Sequence, residues 1–251
     1  MIGVGVLGAG GRMGRAVCGA VAGAEDLELV AAVDPAAMGE AVEGVVVVAT
    51  LDAIAGAGCH VAVDFTHPSV VMANARWCLS NGIHLVIGTT GLSDADLDEL
   101  RQLAAGANVV VAPNFSLGAV LLLRFVAEAA KHLDAAEIIE LHHDGKADAP
   151  SGTAVATARI IGAARVGTWR APGGDAAYPG ARGTEIDGVR VHAVRLPGLL
   201  AHEEVLFGGP GQVLSIRHDT TDRAAFMPGV LLAVRSVMDR PGLTVGLGSL
   251  L

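Results

Sequence analysis

The sequence predicts an α/β protein: a doubly wound parallel sheet followed by a second α+β unit with a mixed or antiparallel sheet. Three observations predict it. As far as Phe115, short Val-rich runs alternate with helical patterns, as expected of strands covered by helices on both faces. Beyond Phe115, a long helical stretch gives way to strand-like runs of period two. Hydrophobic residues make up 52% of the chain but include only five Phe, two Trp and one Tyr, so the core must be built from Val, Leu, Ile and Ala. A chain of 251 residues can bury two modest cores. We expect one domain over 1–114, completed by 220–251, and a second over 115–219.

Each element follows from its local pattern. IGVGVLG has the Val content of a buried strand. GAGGRMGRAVCGAVAGA is a glycine turn running into an Ala-rich helix, and LELVAAVD is a second strand ending at Asp34. VEGVVVVAT and CHVAVDFTHP add strand-like runs, 69–80 is helical, and HLVIGTTG is a strand and turn. LSDADLDELRQLAAGA starts a helix with Ser93 as N-cap and Asp96 three residues on, a capping box. NVVVAPNF closes the series. The second unit holds a helix over roughly 117–132, the alternating strand AEIIELHH and a helix over about 152–165. A loop rich in Gly, Pro and Arg follows over 166–183, and VRVHAVRL, EEVLFG and QVLSIRHD are expected as antiparallel strands joined by turns. FMPGVLLAVRSVMD is helical, with Pro228 near its first turn.

Charge and cysteines exclude several classes. A net charge of −9 without a basic run does not suit nucleic acid, whose phosphates require clustered Lys and Arg. Cys18, Cys59 and Cys78 are scattered and form no CxxC pair, which suits buried, inert thiols in a reducing compartment. MIGVGVLGAGG lacks a basic n-region, and no apolar stretch reaches membrane-spanning length without Gly or charge. The expected location is the cytoplasm, with no membrane or nucleic-acid partner.

The first motif is the glycine loop. A literal G-x-G-x-x-G at Gly3, Gly5 and Gly8 lies inside the first strand and is coincidental. The relevant segment is Gly8-Ala9-Gly10-Gly11-Arg12-Met13-Gly14, in the register G-x-x-G-x-x-G through Gly8, Gly11 and Gly14. Glycines let the backbone turn sharply and approach a pyrophosphate, and the following helix presents unpaired N–H groups. Together with a strand before, a helix after and Asp34 positioned for ribose hydroxyls, this is a Rossmann-like dinucleotide site; the bland alternative is a Gly-rich turn beside an ordinary Asp. Pro35 cannot pair with a 2′-phosphate, whereas Arg12 and Arg15 are near enough to do so. We expect NADH to serve at least as well as NADPH.

The second motif is ELHHDGKADAPSGTA over 140–154. Strand alternation sends His142 and His143 to opposite faces, so they do not chelate one metal, and no metal site is expected. Pro150 stops the preceding segment and Ser151 can cap a helix, which leaves the amides of Gly152 and Thr153 in its first turn as an anion site. Lys146 adds a full positive charge, so a dicarboxylate can be held at two points. A histidine titrating near neutrality can supply a proton after hydride arrives. The bland alternative is a capped helix after a polar loop. His192, His202 and His218 are expected to be structural or on the surface, and His67 structural or a ligand contact. Met13 is expected to fill the core. Arg195 and Arg217 either balance charge near a pocket or lie on the outer sheet face.

The stretch 140–154 resembles the signature of the dihydrodipicolinate reductases, now named 4-hydroxy-tetrahydrodipicolinate reductases. The resemblance extends in order through GAGGRMG at 8–14, VDFTHP at 63–68, GTTG at 88–91, APNFS at 112–116 and RLPGLLAHEEVLFG at 195–208. It implies an NAD(P)H-dependent oxidoreductase of the diaminopimelate route to lysine. Hydride passes to C4 of a cyclic dicarboxylate, whose hydroxyl leaves as water. It also implies residue roles: His142 as proton donor or acceptor, Lys146 as partner proton donor, and His143, Gly152 and Thr153, beside Ser151, on substrate carboxylates. Gly8, Ala9, Gly10, Gly11, Arg12 and Met13 hold the pyrophosphate and Asp34 the adenosine ribose. Gly88, Thr89 and Thr90 line the nicotinamide half, as do Ala112, Pro113, Asn114 and Phe115, a segment also placed as a hinge. A homotetramer joined through the second unit's sheet is implied as well. Two other functions compete: a Rossmann dehydrogenase of another small dicarboxylate amino acid such as aspartate, and a non-catalytic NADH-binding sensor.

Overall fold

A computed structural model describes residues 1–169 and 177–251. Part of the expected Gly-, Pro- and Arg-rich loop, 170–176, therefore lies outside the described residues. The chain forms two compact units, one from Met1–Leu117 with Arg223–Leu251, the other from Gly118–Asp222.

The chain enters the first unit through β1 (Ile2–Leu7), α1 (Arg12–Ala22) and β2 (Leu27–Val33). The run expected as one strand at 42–50 is instead a hairpin of β3 (Ala41–Val42) and β4 (Val45–Val48). Its turn residues Glu43 and Gly44 have φ of 49° and 80°, as two-residue hairpin turns require, and this reverses the chain midway through the apolar run. Then come α2 (Asp52–Ala55), β5 (Val61–Asp64), α3 (Pro68–Ser80), β6 (His84–Ile87), α4 (Asp94–Leu103) and β7 (Val109–Val111). The capping box at α4 is present: Ser93 Oγ accepts the Asp96 N–H at 3.2 Å, and Asp96 Oδ2 accepts the Ser93 N–H at 2.8 Å.

The second unit takes most of α5 (Leu117–Ala129), then β8 (Ala135–His142), α6 (Gly152–Ala164), β9 (Thr184–Ile186), β10 (Val189–Arg195), β11 (Ala201–Gly209) and β12 (Gln212–Thr220). Its sheet runs β12-β11-β8-β10-β9. β10, expected among antiparallel strands, pairs antiparallel with β9 but parallel with β8. The cause is α6, which carries the chain back across the sheet before β10 begins, and a crossover of that kind returns a strand in the same direction. β11 is antiparallel to both β8 and β12. Along β8 the side chains alternate, with Ala136, Ile138 and Glu140 buried, and Ala136 and Ile138 join Ala154, Ala158 and Ile161 of α6 in the core.

The chain then returns to the first unit as α7 (Met227–Val237), with Pro228 in its first turn, and β13 (Leu243–Val245). Among the described residues the first sheet runs β13-β7-β6-β5-β1-β2-β4-β3, parallel except for the β3–β4 hairpin. Every residue of β5 is buried, as expected of a strand covered on both faces. Leu7, Val33, Ala62, Leu85 and Ile87 pack against Val71, Met72 and Ala75 of α3 and Leu100 of α4. Strand order reverses at β1, which lies between β2 and β5. In open parallel sheets the crevice at such a switch point, beyond the carboxyl ends of the strands, binds ligands.

Candidate active site

In the first unit the switch point opens into a cleft of about 420 Å³. Gly8, Gly11, Asp34, Phe65, Thr66, His67 and Asn74 are among the residues lining it. Three glycines of the loop are required by packing. Gly8 has φ of 79°, and a Cβ there meets the carbonyl of Phe65. A Cβ on Gly14 runs into the Gly8 carbonyl, and one on Gly10 meets Ala37 and the Asp34 carboxylate. Gly11 is less confined, since a Cβ there approaches only the Gly8 oxygen, at 3.3 Å. The packing therefore singles out Gly10 alongside Gly8 and Gly14. Gly11 caps α1 with no side chain, so the amides of the first turn, starting at Arg12 and Met13, have no side-chain acceptor. Ala9 is buried and Met13 half-buried.

Asp34 follows β2. Its Oδ2 accepts the Gly10 N–H at 3.0 Å and its Oδ1 the Ala36 N–H at 2.9 Å. A carboxylate offers about four lone pairs, so capacity remains for ribose hydroxyls. Arg15 donates to the Gly10 carbonyl at 3.0 Å and pairs with Glu40. These residues fit a dinucleotide: the backbone is bare where a pyrophosphate approaches, amides face it from a helix start, and an acid stands one strand over.

Asp64, at the end of β5, is fully buried. Its Oδ1 accepts from the Thr66 N–H at 2.9 Å, the Thr66 hydroxyl at 2.7 Å and the Thr89 hydroxyl at 2.7 Å, and its Oδ2 accepts from Asn74 at 2.8 Å. The carboxylate thereby ties the GTT turn to the VDFTHP segment. Thr89 is buried in this network, Gly88 is half-buried with no room for a Cβ against the Phe65 ring, and Thr90 is exposed. Phe115 stacks on Phe65 in a tilted pair, with centroids 5.6 Å apart. Ala112 is buried, Pro113 exposed and Asn114 half-buried, with its Oδ1 accepting the Ser116 N–H at 2.9 Å. Neither the GTT nor the APNF segment lines the cleft itself. His67 caps α3, accepting the Ser69 N–H at 3.2 Å.

In the second unit, alternation along β8 puts Glu140 and His142 on the face that packs against α6. Glu140 Oε2 accepts from His142 Nδ1 at 2.6 Å and from Arg195 Nη1 at 2.8 Å. Its Oε1 accepts from Arg195 Nη2 at 2.9 Å and from the Ser151 N–H at 3.1 Å. Burial alone raises the Glu140 pKa, but Arg195, His142 and the Ser151 amide together hold it below the usual carboxylate range. Burial lowers the His142 pKa and outweighs the pull of Glu140 toward the charged form. Ser151 Oγ caps α6 by accepting the Ala154 N–H at 3.2 Å. Gly152 is exposed and Thr153 half-buried in the first turn that follows. Lys146 Nζ sits 2.7 and 2.9 Å from the two oxygens of Asp148. His143 is exposed just beyond the strand.

Glu140, Arg195 and Asp64 were not singled out from the sequence as site residues. Period two alone pointed to Glu140, since it shares a face with His142. Arg195 is brought in by the parallel pairing of β10, in which Arg195 registers with His142. Among the described residues no cluster of His, Cys, Asp or Glu can hold a metal, and no helix is long and apolar enough to cross a membrane. Burial pushes the thiols of Cys18 and Cys59 up to about 11 and that of Cys78 to about 12, as inert thiols require.

Comparison with known proteins fits this geometry. Residues 2–115 match the family model for the dihydrodipicolinate reductase N-terminus, and residues 118–251 the model for its C-terminus. A 4-hydroxy-tetrahydrodipicolinate reductase of Nocardia farcinica is 53% identical over 250 residues, covering 97% of this chain and 96% of the relative. One from Thermobifida fusca is 53% identical over 258 residues, covering 100% and 99%. A dipicolinate-bound dihydrodipicolinate reductase from Paenisporosarcina sp. TG-14 superposes with a TM-score of 0.91 at 39% identity, with 100% of both chains covered. With both halves matched in order and the fold shared along the whole length, the chain belongs to the dihydrodipicolinate reductase family, oxidoreductases of the lysine and diaminopimelate pathway named 4-hydroxy-tetrahydrodipicolinate reductases.

Proposed function

We propose that this chain reduces 4-hydroxy-tetrahydrodipicolinate through residues 142–153, with His142 as proton donor and Lys146 as its partner. The substrate gains a hydride and a proton and loses its hydroxyl as water. The family uses NADH or NADPH, and the bound dinucleotide supplies the hydride. The observation that carries the assignment is the arrangement around α6: an imidazole held by a buried carboxylate, a helix start with open amides, and an ammonium in the intervening loop. Dipicolinate, bound by the Paenisporosarcina relative, has two carboxylates on one ring, and so does the substrate. In this reading the amides of Gly152 and Thr153 at the cap formed by Ser151 take one carboxylate, while His143 and Lys146 take the other. Lys146 exchanges Asp148 for that ligand. A nearby dianion raises the His142 pKa toward neutrality and readies it to give up its proton.

In the first unit, Gly8 to Met13 hold the pyrophosphate and Asp34 the ribose. Gly88 to Thr90 and Ala112 to Phe115 serve the nicotinamide half. The negative Asp34, and the pairing of Arg15 with Glu40, disfavour a 2′-phosphate and support NADH as a cofactor at least as good as NADPH. A homotetramer in the cytoplasm completes the proposal. It is supported by the outer strand β12, where Val213 and Leu214 are exposed, and by unpaired, unreactive cysteines. The test is NADH oxidation at 340 nm with freshly generated substrate in Lys146→Ala. Turnover is expected to fall by about a hundredfold while NADH binding is retained; unaltered turnover refutes the role.

A further inference from the structure

We propose that Glu140 and Arg195 are positioning residues for the reduction: Arg195 clamps Glu140, and Glu140 locks His142 with its proton on Nδ1, leaving Nε2 as the nitrogen that gives up a proton. The inference rests on the assignment of His142 made above. Glu140 is fully buried, and each of its oxygens accepts two hydrogen bonds: from Arg195 and Ser151 on one, from Arg195 and His142 on the other. An ionised carboxylate only accepts, so the imidazole must donate through Nδ1 whether it is charged or neutral. When Nε2–H breaks and its proton passes to a ring carbon, the histidine is left in the Nδ1–H form that Glu140 already holds. No ring flip or second proton movement is needed.

Arg195 extends the same restraint. Its Nη2 also donates to the Asp148 carbonyl at 2.6 Å, and Asp148 carries the carboxylate that meets Lys146. One guanidinium–carboxylate pair therefore touches the strand end bearing His142, the cap of α6, and the loop bearing Lys146. The charged and titratable groups facing His142 and Glu140 are Arg195 from β10, Glu203 from β11 (the register partner of Glu140), and Lys146 and Asp148 from the loop. α6 contributes only the neutral Ser151 and Thr157.

The sign of the effect is defined. A carboxylate at Nδ1 favours imidazolium, so removing its charge lowers the His142 pKa. In Glu140→Gln, the limb where kcat falls with rising pH is expected to move to lower pH, and kcat at neutral pH to drop by about a hundredfold with NADH affinity unchanged. Glu140→Asp, which keeps the charge, is expected to restore the limb. A Glu140→Gln enzyme with the wild-type limb and kcat overturns the proposal. If instead His142→Gln retains wild-type turnover, the function assigned to residues 142–153 has failed. Should Glu140→Gln not fold, nitrogen NMR of the wild-type enzyme labelled in its histidines decides. Neutral His142 in the Nδ1–H tautomer supports the proposal, and the Nε2–H tautomer overturns it.

Discussion

At the residue scale, buried charge separates what a pattern reveals from what packing decides. His142 and Lys146 stand out by residue type, whereas Glu140 looks like an ordinary polar residue of a half-exposed strand until its face is covered. Glu203 is the sharper case. It is 6% exposed, its Oε1 has no hydrogen-bond partner, and burial followed by the nearby Glu140 charge pushes its pKa up to about 7 against help from Thr157. A folded pKa above the unfolded value means stability that is complete below about pH 4.5 and is lost as pH rises through about 7. We expect Glu203→Gln to remove that loss, on the order of 3 kcal/mol in the alkaline range. Urea unfolding at acid and alkaline pH checks it; equal pH dependence in both proteins contradicts the burial argument. Asp34 carries the second prediction at this scale. Its charge should keep kcat/KM for NADH at or above that for NADPH, and a hundredfold preference for NADPH in steady-state assays would sink the idea.

At the element scale, the glycine loop was legible because strand, turn, helix and acid occur in the right order. The fit at each glycine was not, since it depends on Phe65 and Ala37 approaching from elsewhere in the chain. Gly14→Ala is expected to force the loop away from the Gly8 carbonyl, costing about 1–3 kcal/mol as overpacking does. NADH affinity should fall with it, which fluorescence titration beside a thermal melt measures; Gly11→Ala should be milder. The period-two strands were readable, but two short ones were not. β9 hides in TEIDGVRV, where Asp187 and Gly188, with φ of 49° and 82°, form the hairpin turn. The Asp-Gly pair was a usable signal for that turn. β13, three residues long, exists only because β7 offers an open edge.

At the scale of the molecule, the first unit is closed by the last segment of the chain. Asn108 donates to the carbonyls of Val237 and Met238, both at 2.9 Å, and Arg235 pairs with Asp26 at 2.7 Å. In the second unit, β12 ends the sheet with Val213 73% exposed, an edge that has to be paired or covered. Sedimentation velocity is expected to show a tetramer, and Val213→Lys with Leu214→Lys to yield smaller species; a wild-type monomer at micromolar concentration contradicts the assembly. The sequence by itself determined the alternation of strands and helices, the glycine loop with its acid, and the stretch of histidines, lysine and helix cap proposed to move a proton and grip two carboxylates. These follow from spacing along the chain. Only the tertiary structure decided that β10 runs parallel to β8, that Arg195 meets Glu140, and that Glu203 is buried beside them. Those depend on which strands become neighbours, and that is set by crossovers and burial among residues far apart in the chain.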